Sequence, residues 1–430
     1  MIEAPWSWRE SRVLVTGVCG TVGRELVRQI LRRAPAAVVG LDIDRRGLRR
    51  LHERHRSAGR ARFVLADVRD RAQLVDACHG IDVVFHAAAL KDIVQCERDP
   101  VEAVRTNVLG TQNVIDAARA CGVTRVAFMS TDKAANPTSV LGSSKLVGEE
   151  LVSAAHAERR GVAGPVFVSV RFGNVLGSSG SVVPVFARQI AAGGPVTLTD
   201  PAMTRFVMTL DEAVGFVIAS ALSGRGGEVL VKKMEVVRIE DLASVMVEEL
   251  AAPSCGTFHR IPIRVIGARP GEKLHEDLIS EDEVCRTVEC EEQFVVLPSG
   301  ASSGARAPYG GAIGQRLERP IRSDGPTPLG RAALRDLLRR HGFLGPGERL
   351  QIAVPCDLRH RAGFVPCDCR HGATLPISPS SPRPSPPPTC DGNPLSLHNC
   401  CESTRAPGGH TCCGVGYSPR YGPSWPRRSS

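Results

Sequence analysis

Residues 12–23 read Arg12-Val13-Leu14-Val15-Thr16-Gly17-Val18-Cys19-Gly20-Thr21-Val22-Gly23, an apolar run of strand length followed by a glycine-rich turn. Apolar residues at helical spacing follow the turn, so a strand leads directly into a helix. Such a turn lets a pyrophosphate approach the backbone at the positive end of the helix. The pattern predicts a dinucleotide site, with these residues against the cofactor: Gly17, Gly20, Thr21, Val22 and Gly23.

The alternation of strand and helix continues along the first part of the chain. Continuous apolar runs of strand length, separated by helical segments, predict a parallel sheet covered on both faces. These runs lie at 37–42, 62–67, 82–87, 125–130 and 165–171. After residue 173 the pattern loosens into loops and shorter elements, as expected of a smaller lobe that closes over a substrate.

We therefore predict an α/β fold, a Rossmann doubly wound parallel sheet with a smaller C-terminal substrate lobe. An N-terminal extension at 1–10 precedes the Rossmann domain at 11–173. The smaller substrate lobe at 174–345 shares the core sheet. The segment at 346–430 contains a Ser- and Pro-dominated stretch that cannot build a packed core, so we predict a disordered tail.

The cysteines do not predict a metal site. Eight of the fifteen lie in the tail, mostly at adjacent or alternate positions rather than with the usual spacers of about two to four residues. The other seven are scattered, and we interpret them as reduced thiols. A zinc site in the tail is the disfavoured alternative.

Composition excludes several classes of function. Only 4% of residues are aromatic, which argues against base-stacking nucleic-acid modules. The segment 344–430 supplies +4 of the +9 net charge, as nine Arg minus five acidic residues. No apolar run approaches the roughly eighteen residues of a membrane helix, and residues 1–10 lack the apolar core of a signal peptide. We expect a cytoplasmic protein with no nucleic-acid or membrane partner.

Asp42 indicates which cofactor is bound. It ends the second predicted strand about twenty residues after Gly23, where a carboxylate accepts hydrogen bonds from a ribose 2′-hydroxyl and repels a 2′-phosphate. NAD is therefore predicted. Arg45 and Arg46 follow closely and could grip a 2′-phosphate, so NADP is the alternative. Asp67 and Val68 would flank the adenine, and Ala87 would pass beneath the cofactor.

Several separate blocks carry a resemblance to a known family. They are His86-Ala87-Ala88-Ala89-Leu90-Lys91, Ser130-Thr131-Asp132-Lys133-Ala134 with Asn136-Pro137, residues 171–184, Thr204-Arg205-Phe206 with Met208-Thr209, and Arg269-Pro270-Gly271-Glu272-Lys273. From about residue 11 to residue 345 the chain resembles the polysaccharide-biosynthesis branch of the extended short-chain dehydrogenase/reductases, the family of UDP-N-acetylglucosamine 4,6-dehydratases. The tail has no counterpart there.

The resemblance implies a reaction on a UDP-hexose, in surface polysaccharide or glycan biosynthesis. Hydride leaves C4 of the sugar for NAD, which makes the C5 proton acidic. A base removes that proton while an acid assists loss of the C6 hydroxyl as water. Hydride then returns to C6, so the cofactor is regenerated within each turnover.

The resemblance also implies roles for individual residues. Asp132 would protonate the departing hydroxyl, and Lys133 would take the C5 proton. Lys145 would hold the nicotinamide ribose, and Lys91 would touch both cofactor and substrate. The residues expected on the UDP part are Asn174, Arg205 and Arg269 at the diphosphate and Glu272 at the uridine ribose.

Leu141 departs from the family pattern. It stands four residues before Lys145, on the same helical face, where a tyrosine would take the C4 hydroxyl proton and contact the cofactor. Some family members, notably larger membrane-attached dehydratases, have methionine here, so the chain resembles this tyrosine-free type. The catalytic set is then Thr131, Asp132, Lys133 and Lys145. Our hypothesis is that Thr131 or Lys133, directly or through water, handles the C4 proton.

Two alternatives stay open. One is a UDP-sugar 4-epimerase or 4-ketoreductase on the same fold, which would normally need the tyrosine that Leu141 replaces. The other is an inactive NAD-binding protein with a regulatory or scaffold role. We expect a homo-oligomer, while the exact sugar and the stereochemistry at C5 do not follow from the residues.

Overall fold

The structure is a computed structural model, and it describes residues 6–159, 164–251, 261–300 and 315–344. The tail predicted to be disordered, at 346–430, lies outside the described residues. Within the described ranges, none of the helices has the length and apolar character needed to cross a membrane.

The strands are mostly short. In chain order they are β1 (Arg12–Thr16), β2 (Ala37–Asp42), β3 (Ala61–Leu65), β4 (Val83–His86), β5 (Arg125–Met129), β6 (Val166–Arg171), β7 (Asn174–Val175), β8 (Val196–Leu198), β9 (Thr204–Met208), β10 (Val229–Lys232), β11 (Glu235–Arg238), β12 (Ile263–Val265), β13 (Asp277–Ile279), β14 (Thr287–Glu289), β15 (Gln293–Val296), β16 (Gln315–Arg316) and β17 (Ile321–Arg322).

The helices alternate with the strands. They are α1 (Thr21–Arg32), α2 (Arg45–His55), α3 (Arg71–Cys78), α4 (Ile93–Arg98), α5 (Pro100–Ala103), α6 (Gly110–Ala120), α7 (Val140–Ala157), α8 (Val182–Ala191), α9 (Leu210–Ser223), α10 (Ile239–Leu250), α11 (Glu281–Val284) and α12 (Arg331–Arg340). Single turns of 3-10 helix lie at Arg56–Ala58 and Asp132–Ala134, and a π-helical turn at Val104–Leu109 leads into α6.

A ten-stranded sheet forms the centre of the fold, in the order β3-β2-β1-β4-β5-β6-β10-β15-β14-β16. The strands from β3 to β10 are parallel, and the last three pair antiparallel. Strand β1 lies between β2 and β4, so the chain reverses its direction of travel across the sheet there. The predicted doubly wound parallel sheet is confirmed, and its crevice lies beyond the carboxyl ends of β1 and β4.

Both faces of this sheet are covered because successive side chains of a buried strand point to opposite faces. Val13 and Val15 pack in one apolar cluster with α1 and α9, while Leu14 packs in another with α3 and α6. All three side chains are fully buried. Burying a Val or Leu side chain contributes about 1.5–3 kcal/mol, so strand β1 is a major contributor to the core.

The second half of the chain adds a lobe with its own apolar cluster. Helices α8, α10 and α12 supply much of it, including Phe186, Leu242 and Leu334. This part returns to the main sheet through β10 and β14–β16. The expectation of shorter elements holds for its strands, but α8, α9 and α10 have ordinary lengths of 10, 14 and 12 residues. The domain boundary at residue 173 stays a prediction.

Candidate active site

The residues singled out in the first half of the sequence gather at one edge of the sheet. The glycine turn follows β1, Ala87 to Lys91 follow β4, and Thr131 to Lys133 follow β5. Since these strands are parallel, their carboxyl ends lie side by side. Distant segments of the chain are thus brought to a common crevice.

The glycine turn is shaped for close approach of a ligand. Gly17 has φ +66°, and a Cβ there would lie 2.6 Å from the backbone N of Ala88. Only glycine fits such a position. Helix α1 begins at Thr21 without a side-chain cap, which leaves its first backbone N–H groups for a ligand.

Asp42 braces this turn. Its Oδ2 accepts a hydrogen bond from the backbone N of Cys19 at 2.8 Å, and its Oδ1 accepts one from the backbone N of Asp44 at 2.9 Å. Each oxygen keeps a lone pair that could accept from a ribose hydroxyl. Arg45 and Arg46 are exposed at the start of α2.

The two residues predicted to flank the adenine differ in availability. Arg69 donates to both carboxylate oxygens of Asp67, and this hydrogen bonding lowers the pKa of Asp67. Val68 is buried and packs in the sheet core. Both contacts with the adenine stay predictions.

A buried network behind the crevice was missed by the sequence analysis. His86 Nδ1 lies 2.7 Å from Thr16 Oγ1, and its Nε2 lies 3.1 Å from Thr111 Oγ1. Burial lowers the pKa of His86 to about 3, with the charge of Lys145 as a lesser cause, so this imidazole is neutral near pH 7. It joins β1, β4 and α6 beneath the segment that contains Ala87.

Asn107 fixes the same segment to α7. Its side chain accepts from the backbone N of Leu90 at 2.8 Å and donates to Leu90 O at 3.0 Å. It also donates to Ser144 Oγ at 2.9 Å. The π-helical turn that contains Asn107 therefore holds the loop after β4 against the helix of Lys145.

The predicted acid and base are in contact. Lys133 Nζ donates to Asp132 Oδ1 at 3.0 Å, and Thr131 Oγ1 donates to the same oxygen at 2.9 Å. The Asp132 side chain is fully buried, whereas that of Lys133 is 18% exposed. Gly173 allows this packing, because a Cβ there would lie 3.1 Å from Asp132 Oδ2 and 2.8 Å from Phe206 O.

Glu276 joins this pair, and sequence reasoning did not find it. Its Oε1 lies 2.9 Å from Lys133 Nζ and 3.6 Å from Arg205 Nε, and its side chain is 2% exposed. Its position three residues after Lys273, at the end of the Arg-Pro-Gly-Glu-Lys block, was the only available signal. We call Asp132, Lys133 and Glu276 the reactive cluster.

Charge and burial act against each other in the reactive cluster. Burial raises the pKa of Glu276, the charge of Lys133 opposes this, and Asp132 raises it further. Burial lowers the pKa of Lys133, but the carboxylates of Asp132 and Glu276 outweigh burial, so the net direction is upward. Lys133 is therefore an ammonium at rest.

Lys145 and Leu141 lie on consecutive turns of α7. Lys145 Nζ donates to Met129 O at 2.9 Å and lies 4.6 Å from the ring centroid of Phe128. Burial lowers the pKa of Lys145 to about 8, against the opposing charge of Glu149. Leu141 is 5% exposed and packs in an apolar cluster with Cys96 and Ala103.

The side chains predicted to bind substrate are in varied settings. Lys91 Nζ donates to Ser179 O at 3.2 Å, and Asn174 is half-buried at the start of β7. Arg269 is exposed, and its backbone N donates to Glu272 Oε2 at 3.2 Å. Their contacts with a substrate stay predictions.

Arg205 has several partners within the protein. Its guanidinium is buried and donates to Thr204 O at 2.7 Å, Leu274 O at 3.0 Å and Lys273 O at 2.8 Å. Its Nε faces Glu276. In this structure Arg205 holds the segment that contains Glu276, and its predicted contact with a diphosphate is untested.

Arg171, another residue missed in the sequence, ties α7 to the second lobe. Its Nε and Nη2 donate to Glu149, its Nη1 and Nη2 donate to Glu283, and Nη1 also donates to Leu278 O. All five guanidinium N–H groups are thereby used. The two carboxylates raise the pKa of Arg171 against its burial.

The described ranges contain no cluster of three or more His, Cys, Asp or Glu side chains that could hold a metal ion.

The chain matches a known protein family. Residues 13–298 match the family described as polysaccharide biosynthesis protein.

The match with this chain covers a different share of each curated relative. An uncharacterised membrane protein, MJ1061, of Methanocaldococcus jannaschii is 45% identical over 293 residues, 68% of this chain and 87% of that protein. Capsular polysaccharide biosynthesis protein CapD of Staphylococcus aureus is 39% identical over 279 residues, 63% of this chain. The match spans 45% of CapD, less than half its length. A UDP-glucose 4-epimerase of Rickettsia typhi is 41% identical over 225 residues, 52% of this chain and 64% of that protein.

Solved structures share the fold. Pen from Bacillus thuringiensis is 34% identical, with a TM-score of 0.72 over 79% of this chain and 100% of that one. DesIV, a dTDP-glucose 4,6-dehydratase from Streptomyces venezuelae with NAD bound, is 22% identical, with a TM-score of 0.56 over 77% of this chain and 97% of that one.

Proposed function

Because the chain belongs to the polysaccharide biosynthesis protein family, we propose that it is an NAD-dependent nucleotide-sugar 4,6-dehydratase, a hydro-lyase. Membership of the family confirms the branch of the short-chain dehydrogenase/reductases that the sequence blocks indicated. The proposed substrate is UDP-N-acetylglucosamine or a related UDP-hexose, and the product would enter surface polysaccharide or glycan biosynthesis.

The observation that carries this proposal is the reactive cluster. Loss of water across C5 and C6 needs a base for the C5 proton and an acid for the C6 hydroxyl, both within reach of neighbouring carbons. Lys133 lies within 3.0 Å of Asp132 and 2.9 Å of Glu276, so acidic and basic groups share one hydrogen-bonded unit. Inverting or reducing C4 alone needs only one proton exchange at O4.

The residues at the crevice fit NAD. Gly17 leaves the space that a Cβ would fill, the N-terminus of α1 faces the place of a pyrophosphate, and Asp42 retains acceptors for a ribose. NAD bound there would accept the hydride from C4 and supply it to C6. NAD in the DesIV structure supports this assignment, and NADP is the alternative.

The protein's own groups would perform the proton chemistry. The Asp132 carboxyl would assist departure of the hydroxyl, and Lys133 would exchange protons with the sugar. The ammonium of Lys145, on α7, reaches Met129 O at the carboxyl end of β5, where it would hold the nicotinamide ribose. Asn174, Arg205 and Arg269 would engage the diphosphate of the substrate, and Glu272 the uridine ribose. Lys91 would touch both cofactor and substrate.

The experiment is incubation of the purified protein with NAD and a panel of UDP-hexoses. Mass spectrometry of the nucleotide sugar should detect loss of one water from UDP-N-acetylglucosamine or a close relative, with no net change in NADH. A panel in which no UDP-hexose loses water would rule out the dehydratase assignment.

A UDP-sugar 4-epimerase is the second candidate, favoured by the 41% identity to the Rickettsia typhi UDP-glucose 4-epimerase. Leu141 disfavours it, since a 4-epimerase on this fold would normally use a tyrosine at that position, and the reactive cluster offers the second acid–base group that only loss of water needs. The same incubation separates the two: an epimerase gives a product of unchanged mass with inverted C4, whereas a 4-ketoreductase consumes NADH stoichiometrically. An inactive NAD-binding protein would do neither. The cytoplasmic location and homo-oligomeric assembly stay predictions.

A further inference from the structure

The proposed reaction has a proton to store. Taking hydride from C4 also removes the proton of the O4 hydroxyl, and that proton must be held until a later step consumes it. Leu141 cannot hold it, and its side chain packs against Cys96 and Ala103. This need for a proton store rests on the proposed function only to the extent that C4 is oxidised, which dehydratase and epimerase have in common.

We propose that Glu276 stores this proton in place of the absent tyrosine, and that Lys133 Nζ passes it between the sugar and Glu276. Lys133 is suited to this exchange because its side chain is 18% exposed, while those of Asp132 and Glu276 are 0% and 2% exposed. Within the reactive cluster, the Lys133 ammonium is therefore the group that can contact a sugar in the crevice.

One oxygen of the Glu276 carboxylate is available to accept a proton. Its Oε2 is buried and has no hydrogen-bond partner among the described residues. A charged oxygen without a partner is costly inside a protein, and protonation relieves that cost. Burial and the nearby charge of Asp132 raise the pKa of Glu276, which favours proton uptake in the same way.

Asp132 is less suited to the role, although its Oδ2 also has no partner among the described residues. Its Oδ1 accepts two hydrogen bonds, from Thr131 and Lys133. Glu276 Oε1 accepts from Lys133, with Arg205 Nε further away at 3.6 Å. Glu276 is therefore the more weakly hydrogen-bonded of the two carboxylates.

Other charged groups near Glu276 have partners of their own. Lys273 Nζ pairs with Asp277 Oδ2 at 2.7 Å, and His275 Nδ1 lies 2.8 Å from Thr204 Oγ1. The charges that face Glu276 are thus those of Lys133, Asp132 and Arg205. Its backbone is fixed to Ser323, which accepts from Glu276 N through Oγ and donates from its own N to Glu276 O, both at 2.9 Å.

The proton movements balance. An N–H bond of the Lys133 ammonium breaks and an O–H bond forms on Glu276, which leaves a neutral amine and a neutral acid. The O4–H bond then breaks toward the amine, and its electron pair forms the C4 carbonyl as hydride leaves C4 for an oxidised nicotinamide. The net result is one proton moved from O4 to Glu276, with the ammonium restored. In a dehydratase the stored proton would then pass back through Lys133 and Asp132 to the C6 hydroxyl that leaves as water, and in an epimerase it would return to O4.

The kinetic test compares Glu276→Gln and Glu276→Asp with the matched control Glu289→Gln, which breaks a surface Glu–Lys pair of 2.7 Å. Glu276→Gln should lower kcat about 100-fold, the usual scale of a lost acid–base group, with KM changed less than about threefold. Glu276→Asp should recover part of kcat, and Glu289→Gln should behave as wild type. Glu276→Gln with near wild-type kcat would overturn the proposal.

The pH profile gives a readout that a structural role would not move. Glu276 must be deprotonated to accept the proton, so wild-type kcat should fall as pH falls through the raised pKa of Glu276. That acid limb should be absent from the residual activity of Glu276→Gln. An identical acid limb in both proteins would contradict the assignment.

A second readout needs no substrate or cofactor. Acylation of Lys133 by an amine-reactive ester, followed against pH by peptide mass spectrometry, reports its protonation. Removing the Glu276 charge should lower the pKa of Lys133 and speed labelling at neutral pH about tenfold, since one pKa unit is a factor of ten. Unchanged labelling would overturn the proposal even if no UDP-hexose were turned over, so the two failures are distinguishable.

Discussion

At the scale of single residues, Leu141 connects sequence and structure. It stands where the resembling family has a tyrosine, and the structure buries it beside Cys96 and Ala103. In that cluster the side chain contributes apolar packing and cannot transfer a proton. The proton chemistry is then left to polar groups on other elements, with Lys133 as the exposed member of the reactive cluster.

Substitutions at position 141 test this interpretation. Leu141→Met conserves volume and should change the free energy of unfolding by less than about 1.5 kcal/mol, with activity retained. Leu141→Tyr adds a ring and a hydroxyl to a filled cluster and should destabilise by about 1–3 kcal/mol. Urea unfolding measures both. A Leu141→Tyr protein of wild-type stability and higher activity would instead mark Leu141 as a lost catalytic tyrosine.

At the scale of elements, the turns and helices of the site are held by particular backbone and ionic contacts. The turn between β1 and α1 depends on the close approach of Gly17 to the backbone after β4. Helix α7 is joined to the β13–α11 segment by the ionic bonds of Arg171 to Glu149 and Glu283. Lys145 lies on that helix, and Glu276 directly precedes β13, so the clamp links the surroundings of two proposed site residues.

The glycine turn offers a matched pair of substitutions. Gly17 and Gly59 have similar φ, +66° and +62°, but a Cβ at Gly59 would meet nothing within 4 Å. Gly59→Ala should cost about 1 kcal/mol of backbone strain and leave NAD affinity unchanged. Gly17→Ala carries the same strain plus a clash with Ala88, and it should abolish NAD binding in a fluorescence titration. Equal NAD affinity in the two variants would contradict a role of the turn in cofactor binding.

The Arg171 clamp should respond sharply to loss of its charge. Arg171→Met removes the ion pair of Glu149 and leaves Glu283 with only the longer 3.7 Å contact to Arg286, so it should lower the free energy of unfolding by about 3–5 kcal/mol, measured in urea. Adding Glu149→Gln and Glu283→Gln removes those charges and should restore part of the loss. Arg171→Lys keeps the charge but cannot hydrogen-bond both carboxylates at once as the forked guanidinium does. Its free energy of unfolding should therefore lie between those of the wild type and Arg171→Met. No recovery in the triple variant would argue against a charge effect.

At the scale of the whole molecule, the fold places the reactive cluster between two regions of the chain. Asp132 and Lys133 come from the carboxyl end of β5 in the main sheet, whereas Glu276 comes from the segment before β13. Arg205 and Lys273 hold that segment, and Lys273 Nζ also donates to Ala135 O at 3.1 Å. The cluster is complete only when both regions are folded.

Truncation tests which part of the chain carries the activity. The family match ends at residue 298, and α12 is the last described helix. Ending the chain after Leu344 should leave the free energy of unfolding nearly unchanged. The Kd for NAD should stay within about twofold of that of the full chain. Ending it after Gly330 removes Leu334 and Leu338, both fully buried, and should cost several kcal/mol, about 1.5–3 for each leucine. Loss of NAD binding in the chain that ends after Leu344 would contradict this division.

The fold class, the glycine turn and the Asp132-Lys133 pair followed from the sequence because each depends on local spacing. Apolar runs report buried strands, glycines report tight approach, and neighbouring residues stay neighbours after folding. The same local reasoning underestimated α8, α9 and α10: the apolar faces of α8 and α10 pack in the second lobe, and that of α9 packs against α1 and the main sheet. The diphosphate contact of Arg205 was implied by the resemblance alone, which gave no sign of the backbone carbonyls that the guanidinium meets in the structure.

Glu276, His86 and Arg171 acquired their significance only in three dimensions. Glu276 lies far along the chain from Lys133, and no spacing rule relates the two; their 2.9 Å contact arises because the second lobe packs over the end of β5. The pKa directions in the cluster likewise depend on burial and on charges supplied by separate segments. Local spacing specifies which groups the chain offers, but the environment that sets their protonation is created by packing.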